Sequence, residues 1–181
     1  MATLSGSMTV EELRQLPEDG SFYYELRHGE AVKVSKPKPI HVFIQQLLVD
    51  MLKAIVAGNG YVTMNWPFRA LPEYEYREAD VIYFSKERWD KIQTELYSDF
   101  VGVPDLVIEV LSPSNTATEM SEKEKLCIDN GAKEFWLVNP FLKHVKVSTP
   151  DGITRTYGIG HEIPVNVIGN ATIKVDAIFI H

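Results

Sequence analysis

Apolar residues recur every three or four positions at Ile44, Leu47, Leu48, Met51, Leu52 and Ile55, the stripe of an amphipathic helix that starts near His41 and ends at Gly58-Asn59-Gly60. Elsewhere the pattern is that of strands. Residues 105–111 (DLVIEVL) give the strongest strand signal and break at Ser112-Pro113-Ser114-Asn115. Residues 79–84 form a short, nearly continuous apolar strand behind Arg77 and Glu78, and residues 134–138 form another, entered through Phe135 and Trp136. Residues 119–130 read as a helix closed by Asn130-Gly131. Weaker signals fill the rest. Thr9 and Glu12 make a capping box for a short helix over 10–15, which residues 16–20 end. Residues 23–26 and 30–34 suggest a hairpin around His28-Gly29. Lys36-Pro37-Lys38-Pro39 reads as a loop that neither continues a strand nor opens the next helix early. Residues 61–64 and 68–71 read as two strands split by Trp66-Pro67, and 86–96 as a surface helix. From Lys143 onward the tail has the look of a β-ribbon, 145–148 turning through Pro150-Asp151-Gly152 into 153–157, with a last strand over 171–175. The sum is an α/β fold: a mixed central sheet flanked by helices, with an added ribbon near the C-terminus.

A chain of 181 residues can bury one core, so residues 8–181 are read as a single domain behind a short disordered leader, residues 1–7. That leader lacks the basic-then-apolar pattern of a signal peptide, and no apolar run is expected to reach the roughly 18 residues of a membrane span. Cys127 is the sole cysteine, which excludes an internal disulfide and a cysteine zinc site and makes a reducing cytoplasm the expected compartment. A net charge of −7 opposes long-range attraction to a phosphate backbone. Clustered carboxylates are themselves part of that deficit, and divalent cations bound among them would offset some of it.

Carboxylates stand out in two of the strands. Buried strands rarely carry a charge unless it is paired or holds a metal. Asp80 opens Val81-Ile82-Tyr83-Phe84, and Glu109 interrupts the apolar run 105–111. Taken alone, Asp80 reads as a strand-end acid in water; Glu109 has the reading of a partner to an internal Arg or Lys, but the apolar residues on both sides of it make it harder to dismiss as a site residue. An Asp and a Glu on neighbouring strands also supply what Mg²⁺ or Mn²⁺ needs, since such ions take one or two carboxylates and keep several waters.

Several segments carry a resemblance. They are Tyr24-Glu25-Leu26-Arg27-His28-Gly29-Glu30, the helix beginning at His41, Ala79-Asp80-Val81-Ile82, and 104–114 (PDLVIEVLSPS). Lys123 and the stretch 131–140 (GAKEFWLVNP) complete it. In order and spacing they resemble the Uma-two family of endonucleases, within the PD-(D/E)xK nuclease superfamily, over nearly the whole chain after Met8. The resemblance implies a restriction-endonuclease-like fold, Asp80 and Glu109 as metal ligands, and Glu25 as a further acidic member of the site. It also exposes a departure. The superfamily places a lysine two residues after the strand acid, and here that position is Leu111. In families of this kind the lysine moves to the following helix, which leaves Lys123 and Lys125. At about 100° per residue, Lys123 lies roughly 50° from the apolar face of Met120, Leu126, Cys127 and Ile128, and Lys125 roughly 150° away. Lys123 is therefore the candidate catalytic lysine, with a snorkelling helix-edge residue as the alternative.

Other residues invite over-reading. Glu25 reads as readily as a salt-bridge partner of Arg27. His41 is a packed or capping histidine by default, raised by the resemblance to a site-lining or phosphate-contacting group. Ser112 and Ser114 suit a turn, not a nucleophile, and Asp105 a strand entrance. Phe135, Trp136 and Cys127 suit the core. Three functions compete: a Mg²⁺- or Mn²⁺-dependent endonuclease acting on DNA, a catalytically silent accessory protein that keeps the fold, and a metal-dependent hydrolase of small nucleotides. Cutting both strands of a duplex is simplest from paired sites, so a homodimer is expected.

Overall fold

The computed structural model describes residues 7–17, 20–71, 75–94 and 102–179. Most of the expected leader, residues 18 and 19 of the first helix stop, and the end of the expected 86–96 helix lie outside them. The chain runs α1 (Val10–Leu13), β1 (Phe22–Arg27), β2 (Glu30–Ser35), α2 (Pro39–Val56), β3 (Gly60–Ala70), β4 (Glu75–Ser85), α3 (Lys86–Gln93) and β5 (Leu106–Val110). It continues with α4 (Ala117–Asp129), β6 (Glu134–Asn139), β7 (His144–Ser148), β8 (Thr154–Gly158), β9 (Glu162–Val165), β10 (Ala171–Lys174) and α5 (Val175–Ile178). The main sheet has the order β2-β1-β4-β5-β6-β7-β8, with β3 also paired to β4. Tyr76 pairs with both Arg69 and Leu26, and Val81 with both Met64 and Ile108. Strand β3 thus lines one edge of β4, while β1 and β5 share the other. Among the described strands only β5 and β6 pair in parallel, joined by the crossover through α4.

Alternation along the central strands divides the interior into two cores. Val81, Tyr83, Leu106, Ile108 and Val110 pack with Ile44, Leu48 and Leu52 of α2 and with Ile163, Ile173 and Ile178 from the C-terminal segment. Ile82, Phe84, Val107 and Phe135 face the other way, toward Ile92 of α3 and Cys127 of α4. Glu109 falls on this second face, two residues beyond Val107.

Four expectations need correction. Pro39 belongs to α2, because proline at the first helical turn forfeits only an N–H that would have no partner there anyway. The two strands around Trp66-Pro67 are one, since β3 is an edge strand and Pro67, paired with Glu78, can present its missing donor to the open side. The hairpin expected over 145–157 forms as β7–β8 but does not stand apart: Val145 and Val147 are buried, and β7 extends the main sheet by pairing with β6. The ribbon is β9–β10, of which only the second strand was foreseen. Finally, α2 is by length and composition apolar enough to cross a membrane, contrary to expectation. In the structure it lays Ile44, Leu48, Val49, Leu52 and Val56 against the sheet.

Candidate metal centre

The β4–β5 ladder runs to Val81↔Ile108; one residue beyond it stand Asp80 on β4 and Glu109 on β5, and both line one cleft. There the ladder gives way to a side chain: Asp80 Oδ2 accepts the Val110 N–H at 2.7 Å. Helix α2 supplies two more donors, one turn apart. Gln45 Nε2 donates to Asp80 Oδ1 at 3.0 Å, and His41 Nε2 lies 3.1 Å from Asp80 Oδ2 and 2.8 Å from the Val110 carbonyl. Gln45 also donates to Asn65 Oδ1, whose residue takes a left-handed φ of 53° in the middle of β3, directly across from Asp80. Asparagine tolerates that conformation better than most residues.

Glu109 is buried, and Lys123 Nζ donates to its Oε2 at 2.7 Å and to the Glu78 carbonyl at 2.6 Å. The same ammonium lies 3.8 Å from Glu25 Oε1. Glu25 has both oxygens engaged: Oε1 accepts the Glu78 N–H and Oε2 pairs with Arg27. The salt-bridge alternative for Glu25 thus holds, within reach of Lys123. Burial pushes the Glu109 carboxyl up to about 8, helped by the charges of Asp80 and Glu25 and opposed by Lys123. Burial works against the Lys123 ammonium, yet Glu109, Glu25 and Asp80 outweigh it and hold the lysine above its ordinary value. Glu25 goes the other way. Its desolvation is overcome by Lys123, Arg27 and the Glu78 N–H, which keep it below the usual carboxylate range.

Helix α4 delivers Lys123. Its start is fixed by a capping box in which Thr116 Oγ1 accepts the Glu119 N–H while Glu119 bonds back to the Thr116 N–H. Arg27 Nη1 anchors Glu119 at 2.7 Å, tying the helix to β1. Lys123 is 7% exposed, whereas Lys125 is 76% exposed and pairs with Asp129 one turn on. The lysine that helix geometry turned inward is the one in the cluster, and Lys125 stays outside it.

The other residues fall into structural roles. Ser112 bonds to Asn115 Oδ1 through its N–H and its hydroxyl, closing the turn after β5. Asp105 is fully buried and accepts from the Ser85 N–H, Arg88 and Lys133. Cys127, Phe135 and Trp136 are buried, and burial raises the Cys127 thiol well above its ordinary range. Residues missed in the sequence also line the cleft: Tyr23, Glu78 and Asn65. Glu78 shares a strand face with Asp80 two positions on, and Gln45 follows His41 by one helical turn. Either spacing could have flagged them.

Asp80, Glu109, Lys123, Glu25 and His41 all line one cleft of about 780 Å³, with Lys36, Lys38, Ile40 and Phe141 at its other walls. Among the described residues no three His, Cys, Asp or Glu side chains make a ready cage for an ion. Two carboxylates can still fit an ion that keeps its waters. The buried Glu109 Oε1 has no hydrogen-bond partner among the described residues, the lone pair such an ion would take.

Comparison with known proteins follows the same lines. A family model for Uma2, described as "Putative restriction endonuclease", matches residues 10–175. The fold is similar to a crystal structure from Anabaena variabilis described as a "putative nuclease belonging to DUF820", with a TM-score of 0.81 and 22% identity over 95% of this chain and 97% of that one. No curated protein matches the chain. The chain belongs to the Uma2 family.

Proposed function

We propose that this Uma2-family chain is a divalent-metal-dependent endonuclease that hydrolyses phosphodiester bonds in DNA from a variant PD-(D/E)xK centre. The observation that carries this reading is Lys123 Nζ, 2.7 Å from Glu109 Oε2 in the cleft shared with Asp80, although the strand itself carries Leu111 where the lysine usually stands. A Mg²⁺ or Mn²⁺ ion held by Asp80 and Glu109 would polarise a phosphoryl oxygen and acidify a bound water. The rest falls to the chain's own groups. Lys123, kept charged by the surrounding acids, is placed to orient the attacking water and to stabilise negative charge developing on the phosphoryl group. Glu25, itself fixed by Arg27, holds the lysine in place. Lys36 and Lys38, exposed on the cleft wall, suit the flanking phosphates. Two such sites in a homodimer would serve the two strands.

Nicking of supercoiled plasmid in Mn²⁺ is the test. Glu109→Gln and Lys123→Ala should each lower the rate by roughly 10²- to 10⁴-fold, and Lys125→Ala should leave it unchanged. Nicking that survives Asp80→Ala and Glu109→Gln would sink the assignment. A net charge of −7 favours a second reading, an accessory protein without turnover, which an inactive wild type in Mg²⁺ and Mn²⁺ would support.

A further inference from the structure

Asp80 Oδ2 accepts the Val110 N–H at 2.7 Å, so the lone pair it has left is the one facing His41 Nε2, 3.1 Å away. The same nitrogen lies 2.8 Å from the Val110 carbonyl oxygen. Two oxygens at the mouth of the acidic cluster thus share one imidazole N–H. They also flank Glu109, whose Oε1 has no partner among the described residues. Both atoms within reach of Nε2 are acceptor oxygens, so Nε2 carries a proton; His41 Nδ1 is buried and has no partner among the described residues.

We propose that His41 is an internal stand-in for the cation: its Nε2–H holds Asp80 Oδ2 and the Val110 carbonyl in the metal-free protein and gives them up when a divalent ion binds. His41 therefore sets the affinity of the site by competition, without being a ligand itself. The inference rests on the metal-using reading above. A histidine that ligates through Nε2 carries its proton on Nδ1 and almost always donates it to a carboxylate, a carbonyl or water, which also fixes the ring. His41 Nδ1 faces no such acceptor among the described residues, so the ligand role is the poorer fit. Gln45, which holds Asp80 Oδ1 from the next turn of α2, keeps the carboxylate oriented when His41 lets go.

The logic is one of differential binding. A bond present only in the free state opposes the ligand by the whole of its worth. Mn²⁺ titration calorimetry on the full chain, at one mildly alkaline pH, reads this directly. His41→Ala should bind Mn²⁺ about 10- to 100-fold more tightly than wild type, the usual worth of a hydrogen bond to a charged group. His41→Phe fills the ring's volume without a donor and should behave the same, which covers the case where the alanine variant packs poorly. His41→Gln, which retains an N–H donor, should return toward wild type. Weakening by about 10- to 100-fold would make His41 a ligand or an orienting residue and overturn the proposal, and so would unchanged affinity. If wild type and Asp80→Ala alike give no binding isotherm, the metal-using reading falls and this inference with it. If wild type binds and Asp80→Ala does not, only the His41 trend is at stake.

Discussion

Replacing Lys123 by methionine removes one buried positive charge while keeping most of its stem volume. The ammonium loses its bonds to Glu109 Oε2 and the Glu78 carbonyl, at 2.7 and 2.6 Å, and Glu109 is left buried without its partner. Breaking a buried pair from one side costs roughly 3–5 kcal/mol when the remaining charge cannot escape. Glu109 can escape by taking up a proton, and burial already holds its carboxyl at about 8. Lys123 is the largest influence holding that value down, so its removal raises it further. The sign follows from linkage. A buried acid whose folded value lies above its unfolded one contributes stability at low pH and loses it as pH rises through the folded value. Above pH 8 the wild-type Glu109 is ionised in both states and its contribution is flat, whereas the variant's is still protonated when folded. Each such pH unit costs the variant about 1.4 kcal/mol more. Urea melts should therefore show a modest deficit at pH 6 that widens by about 1 kcal/mol between pH 8 and 9. Adding Glu109→Gln should abolish the widening. A deficit of the same size at pH 6 and pH 9, or an equal loss in Lys125→Met, would show that Lys123 and Glu109 are not coupled as argued.

The remaining predictions concern neighbouring features. Asp105→Asn should cost about 2 kcal/mol at neutral pH. Burial raises the Asp105 carboxyl, but the Ser85 N–H, Lys133 and Arg88 outweigh it and hold the group below its ordinary value. Its contribution is therefore complete above the usual carboxylate range, and the gap to the variant should close as pH falls through the lowered value, read by acid titration of the circular-dichroism signal. Gly60→Ala should destabilise by about 2 kcal/mol or more, because a Cβ there would meet the Phe84 carbonyl oxygen at 2.5 Å on a backbone with φ of 152°. A thermal melt within a degree of wild type would contradict that packing. Leu111→Lys in the Lys123→Met background should restore part of the lost stability, since position 111 lies two residues beyond Glu109 along the same strand direction and lines the same cleft. No recovery in the urea melt would show that the strand position cannot reach Glu109.

The sheet and its partners were legible where one physical signal dominated. The 3.6-residue stripe of α2, the apolar run around Glu109 and the Thr9–Glu12 capping box each map onto the structure with small boundary shifts. The failures share a cause in tertiary context. Whether Pro67 breaks a strand depends on that strand lying at an edge, and whether 145–157 stands apart depends on β6 having a free edge to offer. Within the site, the turning of Lys123 inward and Lys125 outward followed from helical periodicity alone. The engagement of Asp80 by His41 and Gln45 did not, because it joins α2 to the end of the β4–β5 ladder across residues far apart in the chain. A strand acid is also an ambiguous sign by itself. Glu134, as buried as Glu109, lies outside the cleft and bonds Trp136 Nε1 and the Val167 N–H, fastening β6 to the loop between β9 and β10.

The displaced lysine has a geometric explanation. Strand β5 ends at Val110, the turn through Ser112 and Asn115 reverses the chain, and α4 returns across the sheet face that carries Val107 and Glu109. Lys123 is the seventh residue of α4, about 9 Å along the axis from its first at 1.5 Å per residue. That length of return brings the helix back alongside Glu109 and the Glu78 carbonyl, within the reach of a lysine stem. A strand lysine two residues after the acid and a helix lysine two turns into the crossover are then alternative routes to the same point. The helical route has a consequence for charge. It threads the stem through the buried side of the cluster, against Met120 and Cys127 on the same face of α4, and so presents Nζ to Glu25 as well as to Glu109. Three acids around one ammonium keep it protonated despite its burial. A group that is permanently cationic can hold and orient a water or an anionic oxygen, but it is a poor acceptor of that water's proton. In the proposed hydrolysis Lys123 therefore acts through its charge and its N–H bonds, and the acidity of the water would be supplied by the divalent ion that Asp80 and Glu109 would hold.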